Sequence, residues 1–148
     1  MKSKKKIIII SVSVVFVICA IMAAILLYII KMDMRVRNLT DLDNWETSIK
    51  YSMLSDKLKE VISEEEFNDR TDEGKYNMYQ KLEGLELETT DKDTPSTDWW
   101  KTPPCDSVET DAGKFLVEYR IDFKVHLNRI EVINFVTYIY SHEEFFSD

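Results

Sequence analysis

The sequence predicts an α+β protein in which an N-terminal transmembrane helix precedes a helical layer packed on a curved antiparallel sheet. Three observations support this prediction. Residues 7–30 carry no charge, residues 42–82 repeat apolar side chains at intervals of three and four, and residues 115–127 alternate apolar with polar side chains. An order of helices first and long strands second is typical of the α+β class.

The first element is the uncharged run of 24 residues from Ile7 to Ile30. A helix of that length spans roughly 36 Å, enough to cross a hydrocarbon core of ~30 Å. A cleavable signal peptide has a shorter apolar region, of ~7–15 residues, which ends at a small-residue cleavage site. The alanines here lie within the run. We therefore expect a retained membrane anchor, with a cleaved signal peptide as the alternative.

The four lysines before the run favour a cytoplasmic amino terminus, because positively charged residues accumulate on that side of a membrane. Lys31, Arg35 and Arg37 on the far side weaken this bias. The expected product is a single-pass protein of the cell membrane, with the residues after about 36 outside. Its predicted parts are a cytoplasmic tail (1–6), a transmembrane helix (7–30), a juxtamembrane linker (31–40) and an extracytoplasmic α+β domain (41–148).

Charge is distributed unevenly along the chain. The whole chain has a formal charge of −8, whereas residues 1–35 carry +5, so the remainder carries −13. Such an acidic domain repels phosphate groups, and a nucleic-acid partner is not expected. Cys105 is the only cysteine after the apolar run, so the outer domain has no internal disulfide. We expect it to be a small buried apolar residue rather than a link to a partner.

Residues 42–62 have helical periodicity, and Thr40 or Asp41 is a suitable cap for the start of a helix. Ser63 to Glu66 matches a capping box, which predicts a new short helix containing Phe67. Asp72 is predicted to open a further helix that stops at Gly84, since glycine is common just after a helix end.

The second half of the chain is predicted to be sheet. Residues 85–88 alternate briefly, residues 89–107 form a loop, and residues 111–113 form a turn. In residues 115–127 the odd positions are apolar and are expected to face the core, whereas the even positions are mostly polar. Ile121→Ala should therefore destabilise the domain and Arg120→Ala should not. After a turn at Asn128, residues 130–140 are apolar on both faces, which predicts a more central or doubly covered strand.

This order of elements resembles the nuclear transport factor 2-like superfamily, also called the cystatin-like cone. The resemblance rests on LSDKLKEVISEEEFND in the helical half and GKFLVEYRIDFKVHLNRIEVINFVTYIYS in the strands. It implies a curved sheet wrapped around an N-terminal helical layer. Such domains usually end in a further long strand, whereas only SHEEFFSD follows Tyr140. The superfamily includes enzymes, ligand binders and scaffolds, so the resemblance leaves the activity open.

No residues with a catalytic, cofactor-binding or metal-binding pattern stand out. His126 and His142 are isolated from other ligand types, which makes a zinc site unlikely to form on them. Asp91 and Asp93 begin like a calcium loop, but Pro95 occupies the place of the third ligand. We therefore expect no cofactor.

The segment DWWKTPP holds the candidate partner surface, namely Trp99, Trp100, Pro103 and Pro104. Adjacent tryptophans in a polar loop suit a protein interface, although they would equally plug the open end of a sheet. The leading hypothesis is a non-enzymatic, membrane-anchored domain that binds an envelope protein or a second copy of itself. The alternative is a domain that binds or hydrolyses a small ligand in the cavity of the cone.

Overall fold

The computed structural model describes residues 2–41, 44–97 and 104–141. The chain divides into two compact units, Met1–Arg35 and Val36–Asp148. The second unit contains several short helices and a three-stranded antiparallel sheet, so the α+β class predicted from the sequence is confirmed.

The first helix, α1, runs from Lys2 to Thr40. Its portion Val12–Thr40 is long and apolar enough to cross a membrane, and no part of its most apolar window is buried inside the protein. This portion has the composition predicted for an anchor. The helix also includes residues 31–40, the stretch predicted as a juxtamembrane linker.

The helical layer consists of α2 (Trp45–Ser48), a 3-10 turn (Tyr51–Met53), α3 (Asp56–Val61), α4 (Glu64–Asn68) and α5 (Asp72–Leu82). The helical pattern predicted over residues 42–62 does not form one continuous helix. These residues form α2, the 3-10 turn and α3 instead. Asn44, not Thr40 or Asp41, caps α2, because its Oδ1 accepts the Glu46 N–H at 2.8 Å. Between α2 and α3 the chain extends so that the Ser55 N–H donates to the Val132 carbonyl at 2.8 Å. This tertiary pairing overrides the local helical preference.

Two local predictions in this layer are confirmed. The Glu66 N–H donates to Ser63 Oγ at 3.2 Å and the Ser63 N–H donates to Glu66 Oε2 at 2.9 Å, which completes the capping box. The last helix, α5, begins at Asp72, and Gly84 follows its end with a φ of 64°. A left-handed residue at this position is typical of a helix stop.

The sheet contains β1 (Cys105–Thr110), β2 (Gly113–Val125) and β3 (Ile130–Ser141) in the order β1-β2-β3. The predicted turn at residues 111–112 joins β1 to β2, and the predicted turn near Asn128 joins β2 to β3. The start of β1 lies in the stretch predicted to be loop. Its sequence, CDSVET, has only one large apolar residue, Val108, and that residue is completely buried.

One further strand prediction is wrong, and one is met by the second of its two alternatives. Residues 85–88 form no strand, because the N–H groups of Leu87 and Glu88 both donate to Asn134 Oδ1, at 2.8 and 2.9 Å. Of the two alternatives predicted for β3, a central position or cover on both faces, the second is correct, because β2 is the central strand. β3 is buried on both faces over residues 132–137, as its apolar pattern predicted. On its outer edge the Thr137 carbonyl accepts the Gly84 N–H at 3.0 Å.

The buried parity of β2 is confirmed in its middle and wrong at its far end. Val117, Tyr119, Ile121 and Phe123 are at most 1% exposed. Val125 and Leu127 were predicted to lie in the core but are 45% and 85% exposed. These two positions lie where the hairpin closes, with the His126 N–H donating to the Arg129 carbonyl at 2.8 Å, beyond the buried part of the strand.

Aromatic side chains fill the space between the helices and the sheet. The ring of Trp45 lies 5.1 Å from that of Phe67 and 5.3 Å from that of Phe135, and Tyr119 lies 5.8 Å from Phe135. These four rings and that of Tyr79 are at most 1% exposed. The core therefore lies between the helical layer and one face of the sheet.

Candidate functional site

The predicted partner surface falls mostly outside the described residues, which exclude Trp99, Trp100 and Pro103. Its remaining member, Pro104, is half-buried, and its carbonyl accepts the Tyr119 N–H at 3.0 Å. On the other side of the segment, the Thr97 N–H donates to the Ile121 carbonyl at 2.9 Å. We call residues 98–104 the tryptophan segment. Thr97 before it and Pro104 at its end are both hydrogen-bonded to β2, at positions only two residues apart.

Residues 95–97 form an extension of this sheet edge. Ser96 makes an isolated antiparallel bridge with Asp122, and the Pro95 carbonyl accepts the Phe123 N–H at 2.7 Å. Thr97 is completely buried, and its Oγ1 accepts the Ile121 N–H at 3.1 Å. The loop predicted over residues 89–107 is thus pinned to β2 before and after the tryptophan segment.

An open groove of about 460 Å³ lies beside this edge. Its lining combines two cations, two carboxylates and three hydroxyls: Thr90, Asp91, Lys92, Thr94, Ser96, Arg120 and Asp122. Sequence reasoning did not select Arg120 or Asp122 as site residues. The alternation of β2 placed both on the polar face, and nothing local indicated that a distant loop would cover that face.

Arg120 is held in place from below by a buried carboxylate. Its Nε lies 3.2 Å from Asp122 Oδ1, and its Nη2 donates to Asp122 Oδ2 at 3.4 Å. The Asp122 side chain is only 3% exposed and accepts a further hydrogen bond, at 3.0 Å, from Asn134 Nδ2. Arg120 therefore does not simply face solvent, and these contacts lead us to expect that Arg120→Ala lowers the stability, contrary to the prediction from the strand pattern.

The outer partner of Arg120 is Glu86, which contacts Nη2 and whose side chain is 55% exposed. Burial alone would lower the pKa of Arg120, but its hydrogen bond to Glu86 and the charge of Asp122 outweigh that effect, so the pKa is raised. The guanidinium stays charged under all ordinary conditions.

A second charged cluster lies on the opposite face of the sheet, between the helices and β1. Lys75 Nζ is 2.8 Å from Asp106 Oδ2 and 3.1 Å from Glu46 Oε1. The Tyr79 hydroxyl donates to Asp106 at 2.8 Å and accepts from Trp45 Nε1 at 2.9 Å. Burial, followed by the charge of Asp106, raises the pKa of Tyr79. Burial opposes the charge on Lys75, but hydrogen bonds to Asp106 and Glu46 prevail and raise the pKa of Lys75.

The residues with recognised ligand or nucleophile chemistry do not converge in the part of the chain that the structure describes. His126 Nε2 lies 2.5 Å from Glu131 Oε2 near the hairpin end, and His142 is outside the described residues. Among residues 2–41, 44–97 and 104–141, no three His, Cys, Asp or Glu side chains are placed to hold a metal ion. Cys105 is an exposed thiol, so the expectation that it is buried is wrong.

The fold and the groove define a class: a small α+β unit that follows a helix long enough to cross a membrane and carries an arginine in an open polar groove. Comparison with protein families, with characterised proteins and with solved structures finds no match to this chain.

Proposed function

We propose that this chain is a single-pass membrane protein whose Val36–Asp148 unit lies outside the membrane and binds another protein of the cell envelope. The lysines before α1 support an amino terminus on the cytoplasmic side. The length and apolar composition of Val12–Thr40 support the membrane-crossing role. The nuclear transport factor 2-like assignment of the outer unit belongs to the same proposal.

One observation carries the binding role. The aromatic rings of Trp45, Phe67 and Phe135, together with those of two tyrosines, occupy the space that a ligand in the cone would need. Protein interiors are close-packed. A core filled by these rings supports a function in which the protein binds its partner at the surface rather than in an internal cavity. The rival function, binding or hydrolysis of a small molecule in an internal cavity, would need that space.

The proposed contact surface is the tryptophan segment. Tryptophan is enriched where proteins bind one another, since it combines a large apolar area with an N–H donor. The flanking residues Thr97 and Pro104 hydrogen-bond to β2, which fixes both ends of the segment to a rigid sheet. A second copy of this chain is the competing partner.

The experiment compares partner capture by three forms of the tagged full-length protein, each cross-linked in its native membrane. These forms are the wild type, the double variant Trp99→Ala/Trp100→Ala, and the control Leu127→Ala. Leu127 is 85% exposed at the hairpin end, so its change removes an apolar surface group at a different place. We expect the double variant alone to lose the partner while its melting temperature stays close to that of the wild type.

Two outcomes contradict the binding role of the segment. Capture of the same proteins in the same amounts by all three forms would show that the tryptophans do not contact the partner. A large loss of stability in the double variant would show that they plug the sheet, because two buried indoles would contribute several kcal/mol at ~25 cal/mol per Å². If only further copies of the protein itself are captured, the partner is a second copy of this chain and not another envelope protein.

A further inference from the structure

The contacts of Arg120 divide its guanidinium into two edges with different surroundings. Nε and Nη2 form one edge, which faces the buried carboxylate of Asp122. Nη2 donates to Oδ2 at 3.4 Å, whereas the buried Nε lies 3.2 Å from Oδ1 without forming a hydrogen bond. Nη2 and Nη1 form the other edge, where only Nη2 has a contact, with Glu86. In the part of the chain that is described, Nη1 has no partner within hydrogen-bonding distance. A guanidinium carries five N–H donors, and each edge matches the two oxygens of a carboxylate.

The orientation of this arginine is determined by the fold and not by a ligand. Asn134, completely buried, donates from Nδ2 to Asp122 Oδ2 at 3.0 Å, and Asp122 in turn holds Arg120. The side chain of Arg120 is 22% exposed and lines the groove. A buried support behind a partly exposed cation is the arrangement found in preorganised binding sites, because the side chain does not lose freedom when the ligand arrives.

We propose that this groove binds a carboxylate of the partner polypeptide, which pairs with the Nη1–Nη2 edge of Arg120 and displaces Glu86. This inference rests on the proposed function, since it specifies the chemistry that the partner must present. Glu86 already places a carboxylate against this edge and is 55% exposed, so it occupies the site from within the chain and is readily exchanged.

The remaining lining of the groove fits the same ligand. Ser96 and Thr90 contribute hydroxyl groups, and Lys92 contributes an ammonium group. Asp91 also lines the groove, and its Oδ1 accepts hydrogen bonds within its own loop, from the Asp93 N–H at 3.0 Å and from Thr94 Oγ1 at 3.1 Å. A cationic ligand, in contrast, would be repelled by the positive charge of Arg120 at close range. The fork of the guanidinium thus favours a planar carboxylate over a positively charged group.

The test is a titration of full-length protein in nanodiscs, observed through the side-chain signals of 15N-labelled arginine. Three probes are used: acetyl-Gly-Gly with a free C-terminal carboxylate, acetyl-Asp-amide with a side-chain carboxylate, and acetyl-Gly-Gly-amide with none. We expect the Arg120 signal to shift and saturate with at least one of the first two and not with the amide. The carboxylate probe that binds more tightly identifies the source, chain end or acidic side chain.

Two variants distinguish a binding arginine from a structural one. Glu86→Gln removes the internal competitor and should tighten binding by about two- to fivefold, because an exposed ion pair contributes little to be overcome. Arg120→Lys keeps the charge but loses the fork. Its binding is followed by isothermal titration calorimetry, because the Arg120 signal is absent, and should be weaker by roughly tenfold or more. Arg129→Lys is the matched control, since the Arg129 side chain is 67% exposed near the hairpin end, and it should leave binding unchanged.

The proposal is overturned if neither carboxylate probe moves the Arg120 signal, or if Glu86→Gln leaves the affinity unchanged or lowers it. Melting curves of each variant are recorded alongside, and Glu86→Gln changes only an exposed partner, so misfolding does not obscure the result. A lost probe titration with intact partner capture would reject the carboxylate chemistry alone. Binding of the probe without any captured partner would support the groove and reject the proposed envelope partner.

Discussion

Two charge clusters of the Val36–Asp148 unit have similar compositions and different surroundings. In each, one cation contacts two carboxylates: Lys75 lies between Glu46 and Asp106, and Arg120 lies between Glu86 and Asp122. Around Lys75 both carboxylates are similarly shielded, with 23% and 24% of their side chains exposed. Around Arg120 the exposures are 55% and 3%.

The difference in exposure separates a structural ion-pair cluster from the proposed binding site. The Lys75 cluster joins α2, α5 and β1, and both of its ion pairs are enclosed where these elements meet. The Arg120 cluster has one buried carboxylate and one exposed carboxylate, beside an open groove. An ion pair stabilises or binds according to how its partners are desolvated, not according to which charges it contains.

The largest effect is expected from Asn134→Ala, which removes the support behind the Arg120 cluster. The change leaves the N–H groups of Leu87 and Glu88 and the carboxylate of Asp122 without their buried partner. Each unsatisfied buried group costs ~1–3 kcal/mol, so we expect a loss of about 3–5 kcal/mol in the free energy of unfolding. Thermal melts of the full-length protein measure it, with the exposed Asn68→Ala as control.

Asn134→Ala also tests the difference between the Arg120 and Lys75 clusters. It should destabilise the protein and abolish carboxylate binding together, whereas changes at the Lys75 cluster should affect stability alone. A variant that melts like the wild type would contradict the view that Asn134 fastens the chain over this face of the sheet.

Lys75→Met is expected to cost about 2–3 kcal/mol. Breaking a buried pair leaves an uncompensated charge and costs ~3–5 kcal/mol, and the partial exposure of Glu46 and Asp106 reduces that figure. Lys57→Met is the matched control, because the Lys57 side chain is 57% exposed and lies 3.6 Å from Glu88. Similar losses from both variants would mean that Lys75 is no more than a surface residue.

Arg120→Ala is expected to destabilise by about 1–2 kcal/mol, since Asp122 loses its counter-ion but keeps the hydrogen bond from Asn134. Glu86→Gln should change stability by less than ~0.5 kcal/mol, because its pair is exposed. Chemical denaturation of the two variants measures both values. If Arg120→Ala is as stable as the wild type, the prediction from the strand pattern, that Arg120 faces solvent and contributes no stability, is correct.

The smallest effect is expected from alkaline pH, which acts on one cluster only. The pKa of Lys75 is raised above its ordinary value of 10.5, so its contribution is complete below the unfolded pKa and is lost as pH rises through the folded pKa. Arg120 stays protonated over that range. The stability difference between wild type and Lys75→Met should therefore shrink above pH 10.5, while the difference for Arg120→Ala should not. Parallel pH dependence of the two differences would contradict this distinction.

The elements that sequence reasoning placed correctly are those with local causes. The capping box at Ser63, the helix stop at Gly84 and the alternation around Ile121 each depend on residues within a few positions of one another. The candidate site was not predictable in this way. Its support, Asn134, looked like an interruption in an apolar strand, and its partners Leu87 and Glu88 lie 47 and 46 residues away.

The sequence by itself determined the long apolar helix, the order of helices before strands, and the buried face of β2, because hydrophobic period and turn chemistry are written in neighbouring residues. Only the tertiary structure decided that CDSVET is a strand, that Cys105 is exposed, and that Asp122 is buried on the nominally polar face. Each of these depends on which distant segment packs against the residue. A polar side chain can face solvent or a covering loop, and the sequence pattern of the strand is identical in both cases.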